Sequence, residues 1–288
     1  MKYFVLFNPL SKNGIGETEA RKLNILLPDS TLIFHNIIDI CDYSDFLSQL
    51  AADDQIIICG GDGTLNHFAN DIAGLELKHT VLYYATGSGN DFLHDLEKED
   101  GTAPFPINQY LKNLPTVIVN GTKHLFINGI GYGIDGYCCE VADQIKETSN
   151  KPINYTSIAI KGLLFHYHPT NAKITVDGKE YTYNKVWLAP TMNGRFYGGG
   201  MMITPNQNRL KNQTVSVAPM YGSGKLKTLM VFPSIFKGEH VKHTEMVEIL
   251  TGKDITVEFD HPTALQIDGE TVLGVTKYQV LSAGYSES

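Results

Sequence analysis

Two hydrophobic rhythms divide the chain. Through the first 120 residues, short unbroken apolar runs alternate with longer stretches of helical period, the pattern of strands followed by helices. Strands are expected at Tyr3–Phe7, Thr31–Phe34, Gln55–Cys59 and Thr80–Tyr84. Runs such as Ile56-Ile57-Ile58 suit strands covered on both faces of a parallel sheet. Amphipathic spacing predicts helices over Glu17–Leu27, Ser44–Ala52 and Leu65–Ala73, the last with Thr64 as N-cap.

From about Lys123 the rhythm shortens and β-branched residues and glycine turns multiply. Asp177-Gly178, between Ala172–Val176 and Lys179–Tyr183, predicts a β-hairpin, because Asp-Gly supplies the positive φ angles of a type I′ turn. Further strands are expected at Lys185–Pro190, Thr214–Ala218, Asp254–Phe259, Thr263–Ile267 and Tyr278–Ser282. Helices are expected near Gly136–Glu147, Tyr155–Phe165 and Lys225–Phe236. The fold class is therefore an α/β domain with a parallel sheet followed by a mostly β domain. The boundaries are set at 1–121 and 122–275, with 276–288 as a terminal segment.

With 288 residues and a composition 42% hydrophobic and 19% charged, the chain can bury two cores. A formal charge of −8 argues against nucleic acid as a partner, since that affinity comes from Lys and Arg neutralising phosphates. Cys41, Cys59, Cys138 and Cys139 show neither a CxxC pair nor a disulfide framework, which fits a reducing cytoplasm. The apolar run after Met1 ends at Asn8-Pro9, too short for a signal or a span, and no later window is long enough to cross a bilayer.

The candidate chemistry lies in three loops, each following an expected parallel strand: Asn8-Pro9-Leu10-Ser11-Lys12-Asn13-Gly14, Gly60-Gly61-Asp62-Gly63-Thr64 and Thr86-Gly87-Ser88-Gly89-Asn90-Asp91. In an open α/β sheet such loops converge at the carboxyl edge, where glycines admit close backbone approach and a helix N-terminus favours phosphate. Asp62 and Asp91 suit carboxylates that hold Mg²⁺ beside a triphosphate, or N-caps of the following helices, or both.

These residues resemble the diacylglycerol kinase catalytic family, related more distantly to sphingosine kinases and NAD kinases. Gly60–Thr64 matches its GGDGT loop, Asn8-Pro9 with Ser11 resembles NPxSG, and Gly87–Phe92 resembles GTGNDF. Asn128-Gly129-Ile130-Gly131, Gly198-Gly199-Gly200-Met201, Lys237-Gly238-Glu239-His240 and Leu265-Gln266-Ile267-Asp268-Gly269-Glu270 follow in the family's order. The resemblance implies a nucleotide-binding α/β domain, a β-sandwich-like substrate domain, an active cleft between them, and a chain end that tends to return to the first domain. It implies ATP and Mg²⁺ as cofactors and a lipid or lipid-like alcohol as substrate. ATP would be held by Asn8, Pro9, Ser11, Lys12, Gly60, Gly61, Asp62, Gly63, Thr64, Asn66, Gly87, Ser88, Gly89 and Asn90. The metal falls to Asp62 and Asp91, and catalysis to Glu270 as general base with Asp62 and Asp268.

The chain departs from the family at His67, where an acid is usual, at Lys12, where glycine is usual, and at Leu210-Lys211-Asn212-Gln213-Thr214, where an acidic stretch holds a structural Mg²⁺ in some members. That second metal is expected to be absent. Kinase action on a soluble substrate such as NAD, or a catalytically inactive nucleotide-binding regulator, are the alternatives. Gly131–Gly136 satisfies G-x-G-x-x-G but lacks the context of a dinucleotide fingerprint. His166 with His168, and His240 with His243, read as solvated or hydrogen-bonded rather than as zinc ligands. The lysine-rich apolar stretch 225–243 reads either as a core helix with a solvated face or as a transient contact with the inner membrane surface. Homodimer formation is left open.

Overall fold

The computed structural model describes residues 1–87, 89–148, 158–159, 161–211 and 213–285. Two compact units appear, Met1–Asn113 and Leu114–Ser288. Ser88, Asn212 and residues 155–157 and 160 of the helix expected over 155–165 lie outside the described residues, while Gly162–His166 is helical.

The first unit is an α/β domain. Its sheet runs in the order Thr31–Asn36, Lys2–Phe7, Gln55–Gly60, Val81–Ala85, Phe105–Pro106, the first four strands parallel and the last antiparallel. Ile56, Ile57 and Ile58 are all fully buried, as required of a central strand covered on both faces. Because the chain goes from Lys2–Phe7 to Thr31–Asn36 on one side and then crosses to Gln55–Gly60 on the other, the sheet has its switch point between Lys2–Phe7 and Gln55–Gly60.

Two helix expectations change in detail. The stretch 17–27 forms two short helices, Gly16–Ala20 and Leu23–Leu26, and the helix after Gly60 starts at Asp62, not Leu65. Gly61 is its N-cap residue, so Thr64 sits in the first turn, and its buried side chain serves the neighbouring loop instead.

The second unit is an antiparallel, sandwich-like β domain. Its main path runs Leu250–Gly252, Val215–Val217, Thr191–Met192, Gly129–Tyr132, Asp254–Ile267, Glu270–Leu281, Thr116–Val119, Thr122–Leu125, and Thr170–Val176 pairs both with Lys179–Val186 and with Asp254–Ile267. The two strands expected at 254–259 and 263–267 are one strand, Asp254–Ile267. It changes partner from Thr170–Val176 to Gly129–Tyr132 across a register break between Glu258 and Thr263. Pro262 stands in that break, where a strand tolerates a residue that cannot donate.

Thr116–Val119 pairs with Tyr278–Leu281, and Val117, Val119, Tyr278 and Val280 share one core with Phe126, Tyr132 and Leu265. The unit boundary therefore precedes residue 121, and residues 276–285 stay within the second unit. The helix Ile134–Thr148 contributes to a second apolar cluster with Trp187, Met220, Phe232 and Ile235. The helix beginning at Lys225 is α-helical to Val231 and continues as 3-10 turns over Phe232–Lys237, because Pro233 removes a backbone donor. No helix among the described residues is long and apolar enough to cross a membrane.

Candidate active site

In the first unit the three loops are physically tied. The Asn8 side chain donates from Nδ2 to Thr64 Oγ1 at 3.2 Å and accepts from the Leu10 amide at 2.9 Å, linking the first loop to the second. The second and third loops touch backbone to backbone: a Cβ on Gly87 would stand 2.3 Å from Gly61 Cα, and one on Gly61 would stand 3.1 Å from Gly87 Cα. Only glycine permits that approach. The Thr86 amide donates to Gly60 O at 2.9 Å and the buried Tyr83 hydroxyl to the same oxygen at 3.1 Å, which fixes the height of the turn.

Asp62 completes this frame. Its Oδ2 accepts from the Asp91 amide at 2.8 Å and its Oδ1 from the Phe92 amide at 3.1 Å. The carboxylate thus caps the helix Asp91–Asp95, whose own N-cap Asn90 supplies no side-chain bond. The capping alternative read from the sequence is realised across loops, with Asp62 serving the third loop's helix and not its own. Asp91 is buried alongside.

Among the described residues, two further atoms here are buried without a hydrogen-bond partner, Thr86 Oγ1 and Asn90 Oδ1, although Asn90 Nδ2 donates to Asp100 at 2.9 Å. Unpaired buried acceptors and hydroxyls are costly, so a polar guest at these loops relieves a standing penalty. Lys12 has φ of 50°, the left-handed region, which gives a physical reason for the family's glycine at this place. Its ammonium pairs with Glu19 at 3.1 Å, and Glu19 pairs with Lys22 at 2.7 Å. The hydrogen bond from Lys22, then that from Lys12, holds the Glu19 carboxyl below the usual carboxylate range.

In the second unit, Asp268-Gly269 is a two-residue hairpin between Ile267 and Glu270, with φ of 45° and 98°. Asp268 Oδ1 accepts from the amides of Asn128 and Gly129, both at 2.9 Å, and Oδ2 from that of Ile127. The same segment is held from behind. Buried Arg209 donates to Ile127 O at 3.0 Å and to Asn128 Oδ1 at 3.1 Å, and Asn193 donates from Nδ2 to Ile127 O at 2.9 Å. Glu270 follows the turn and is exposed.

Comparison with known families matches residues 2–124 to the Diacylglycerol kinase catalytic domain and residues 128–280 to the YegS C-terminal NAD kinase beta sandwich-like domain. The chain belongs to the family of the YegS C-terminal NAD kinase beta sandwich-like domain, with a match to the Diacylglycerol kinase catalytic domain ahead of it. It is 25% identical over 272 residues to a protein named diacylglycerol kinase from Mycobacterium tuberculosis (strain CDC 1551 / Oshkosh), covering 91% of this chain and 85% of that one. It is also 25% identical over 252 residues to the protein YtlR of Bacillus subtilis (strain 168), assigned as a lipid kinase, covering 80% and 77%. A crystal structure of a Bacillus anthracis str. Sterne protein assigned as a diacylglycerol kinase shares the fold, with a TM-score of 0.66 at 22% identity over 98% of this chain and 92% of that one. The protein is thus a kinase-family enzyme.

Of the residues expected at the nucleotide, Asn8, Gly60, Gly61, Asp62, Thr64, Gly87 and Asn90 meet in one connected loop network in the first unit. Ser11 and Lys12 lie in the short helix Ser11–Gly14 just beyond it, and Asn66 lies in the helix Asp62–Asp71 with its Oδ1 accepting from Asn70 at 3.1 Å. Asp268 and Glu270 belong to the second unit.

The sequence reading missed Asp135. It stands in the first turn of Ile134–Thr148 and is buried, and its Oδ2 has no hydrogen-bond partner among the described residues. Burial pushes the Asp135 carboxyl up to about 7, with the Tyr197 hydroxyl pulling the other way. The only signal was an acid opening an apolar helix, inside a segment read for its glycines. Arg209 was missed as well, since a lone arginine carries no spacing signature. His240, by contrast, sits as expected of a hydrogen-bonded histidine: it is fully buried, and its Nε2–H donates to Ile203 O at 2.9 Å.

Proposed function

We propose that the protein transfers the γ-phosphoryl group of ATP to the hydroxyl of a diacylglycerol or a closely related lipid alcohol. The observation that carries this reading is the loop network at the carboxyl edge of the parallel sheet, where Gly61 and Gly87 meet and Asp62 ties the second loop to the third. Close-packed glycines and unpartnered Thr86 Oγ1 and Asn90 Oδ1 suit a polyphosphate ligand.

Among the described residues no group of three or more His, Cys, Asp or Glu is poised to hold a metal. Asp62 and Asp91 fit instead a Mg²⁺ that takes its remaining ligands from phosphate and water, as is usual for this ion. When bound, Mg²⁺ neutralises charge developing on the transferred group. Asp62 orients the loops, and Glu270 takes the proton from the lipid hydroxyl as the new O–P bond forms and ADP departs. Such a base contributes about 10² to 10⁴ in rate. We assign Asp268 to positioning: its two oxygens are engaged by three amides, so it shapes the turn that carries Glu270.

The test is γ-labelled ATP offered with diacylglycerol, sphingosine, a prenol and NAD, with and without Mg²⁺. Labelled phosphatidic acid, formed only with the metal, supports the assignment. Label on NAD alone makes the protein a soluble-substrate kinase, and label on none of them leaves a nucleotide-binding regulator.

A further inference from the structure

The helix Lys225–Val231 and its continuation Phe232–Lys237 are apolar on two sides. One stripe, Thr228, Val231, Phe232 and Ile235, is buried in the second unit's core. On the other side Leu226 is 72% exposed and Met230 67% exposed, followed by exposed Pro233 and by Phe236 at 39%. Spacings of four and three residues put Leu226, Met230 and Pro233 on one outward line. An outward helix face normally carries polar residues, and a helix apolar all round is normally buried. Single exposed apolar side chains are ordinary, but three along one line, with Phe236 a turn further on, form a surface that water does not favour.

Charge says what covers it. Within 225–243 stand Lys225, Lys227, Lys237 and Lys242 against one acid, Glu239, in a chain of net charge −8. Lys227 reaches Glu245 at 2.7 Å and Lys242 reaches Glu239 at 3.1 Å, both at the surface, where such pairs are weak and yield to a stronger field. Apolar residues rimmed by lysines are complementary to acyl chains beneath anionic headgroups, the pattern of an interfacial helix. The segment Gly162–His166, which packs beside Lys225–Val231, adds Phe165 at 69% exposure.

We propose that Leu226, Met230, Pro233 and Phe236, with their lysine rim, are the surface by which this protein docks on an anionic lipid bilayer. The inference rests on the lipid-kinase reading, because an enzyme with a membrane-dissolved substrate must reach the interface where that substrate lies.

Sedimentation with vesicles of phosphatidylcholine, with and without phosphatidylglycerol, tests it. The wild type is expected to sediment with the anionic vesicles and to be released by salt. Each large apolar side chain moved from water to acyl chains contributes about tenfold to partitioning, so Leu226→Asp with Met230→Asp should weaken binding about 100-fold. Lys225→Glu with Lys237→Glu should cost about fivefold per lysine and flatten the salt dependence. All these positions lie on the surface, so melting temperature and phosphorylation of a water-soluble short-chain diacylglycerol should be unchanged. A wild type that ignores anionic vesicles, or an aspartate variant that binds them equally well, overturns the proposal. So does a variant that turns a dimer into a monomer yet keeps its vesicle affinity, since the face would then be a self-association surface. Vesicle binding that follows these variants while no lipid is phosphorylated upholds the docking surface and removes the kinase reading instead.

Discussion

The second unit contains the same turn twice. Asp177-Gly178 and Asp268-Gly269 are both two-residue hairpins, with φ pairs of 47° and 82° and of 45° and 98°. In both, the aspartate reaches sideways to a neighbouring segment: Asp177 Oδ1 accepts from the amides of Lys253 and Asp254 at 2.8 and 2.9 Å, and Asp268 from those of Ile127, Asn128 and Gly129. The turns diverge in what they hold. Asp177 fastens a surface corner and is followed by Lys179, whereas Asp268 fastens a buried segment also gripped by Arg209 and Asn193 and is followed by Glu270. An Asp-Gly turn is a construction element, and its function comes from the residue it presents and the rigidity behind it.

The largest predicted contrast lies at the presented residue. Glu270→Gln should lower turnover by about 10² to 10⁴ with the melting temperature unchanged, whereas Lys179→Gln, the counterpart on the other hairpin, should leave turnover intact. Steady-state kinetics on both variants checks this, and equal activities would erase the distinction.

A carboxylate held by burial rather than by amides makes a different prediction. Asp135 has its pKa raised to about 7 by burial, so the fold favours its neutral form. Its contribution to stability is full below about pH 4 and is lost as pH rises through 7, a change on the order of 4 kcal/mol. Asp135→Asn should therefore unfold at higher denaturant than wild type at pH 8, with the gap closing towards pH 4.

Removing the anchors should separate the hairpins again. Asp268→Ala leaves three buried amides without an acceptor and should cost about 3 kcal/mol, while Asp177→Ala, whose amides water can reach, should cost about 1 kcal/mol. Chemical denaturation distinguishes the two. The smallest effect should be the same in both turns: Gly178→Ala and Gly269→Ala meet no neighbouring atom, so each pays only for positive φ, about 1 kcal/mol.

Much of this architecture was legible in the residues. Ile56-Ile57-Ile58 gave away a doubly covered parallel strand, and Asp177-Gly178 fixed a hairpin to the residue, because local chemistry alone decides both. Glycine spacing located the three loops for a similar reason, since only close backbone contact, as between Gly61 and Gly87, demands it. What escaped depends on distant partners. That Asp62 caps the helix after Asn90, that Pro262 sits in the register break of a single strand, and that Asp135 is buried are results of tertiary packing. Outward-facing Leu226 and Met230 were equally hidden, since helical spacing cannot say which of two apolar stripes finds the core.

The most direct test follows labelled phosphate from γ-labelled ATP into extracted lipid, with wild type and Asp62→Asn run side by side on diacylglycerol. Labelled lipid should form with the wild type in the presence of Mg²⁺ and fall by at least about 100-fold in the variant. Absence of labelled lipid from the wild type, or undiminished labelling by Asp62→Asn, would contradict the account.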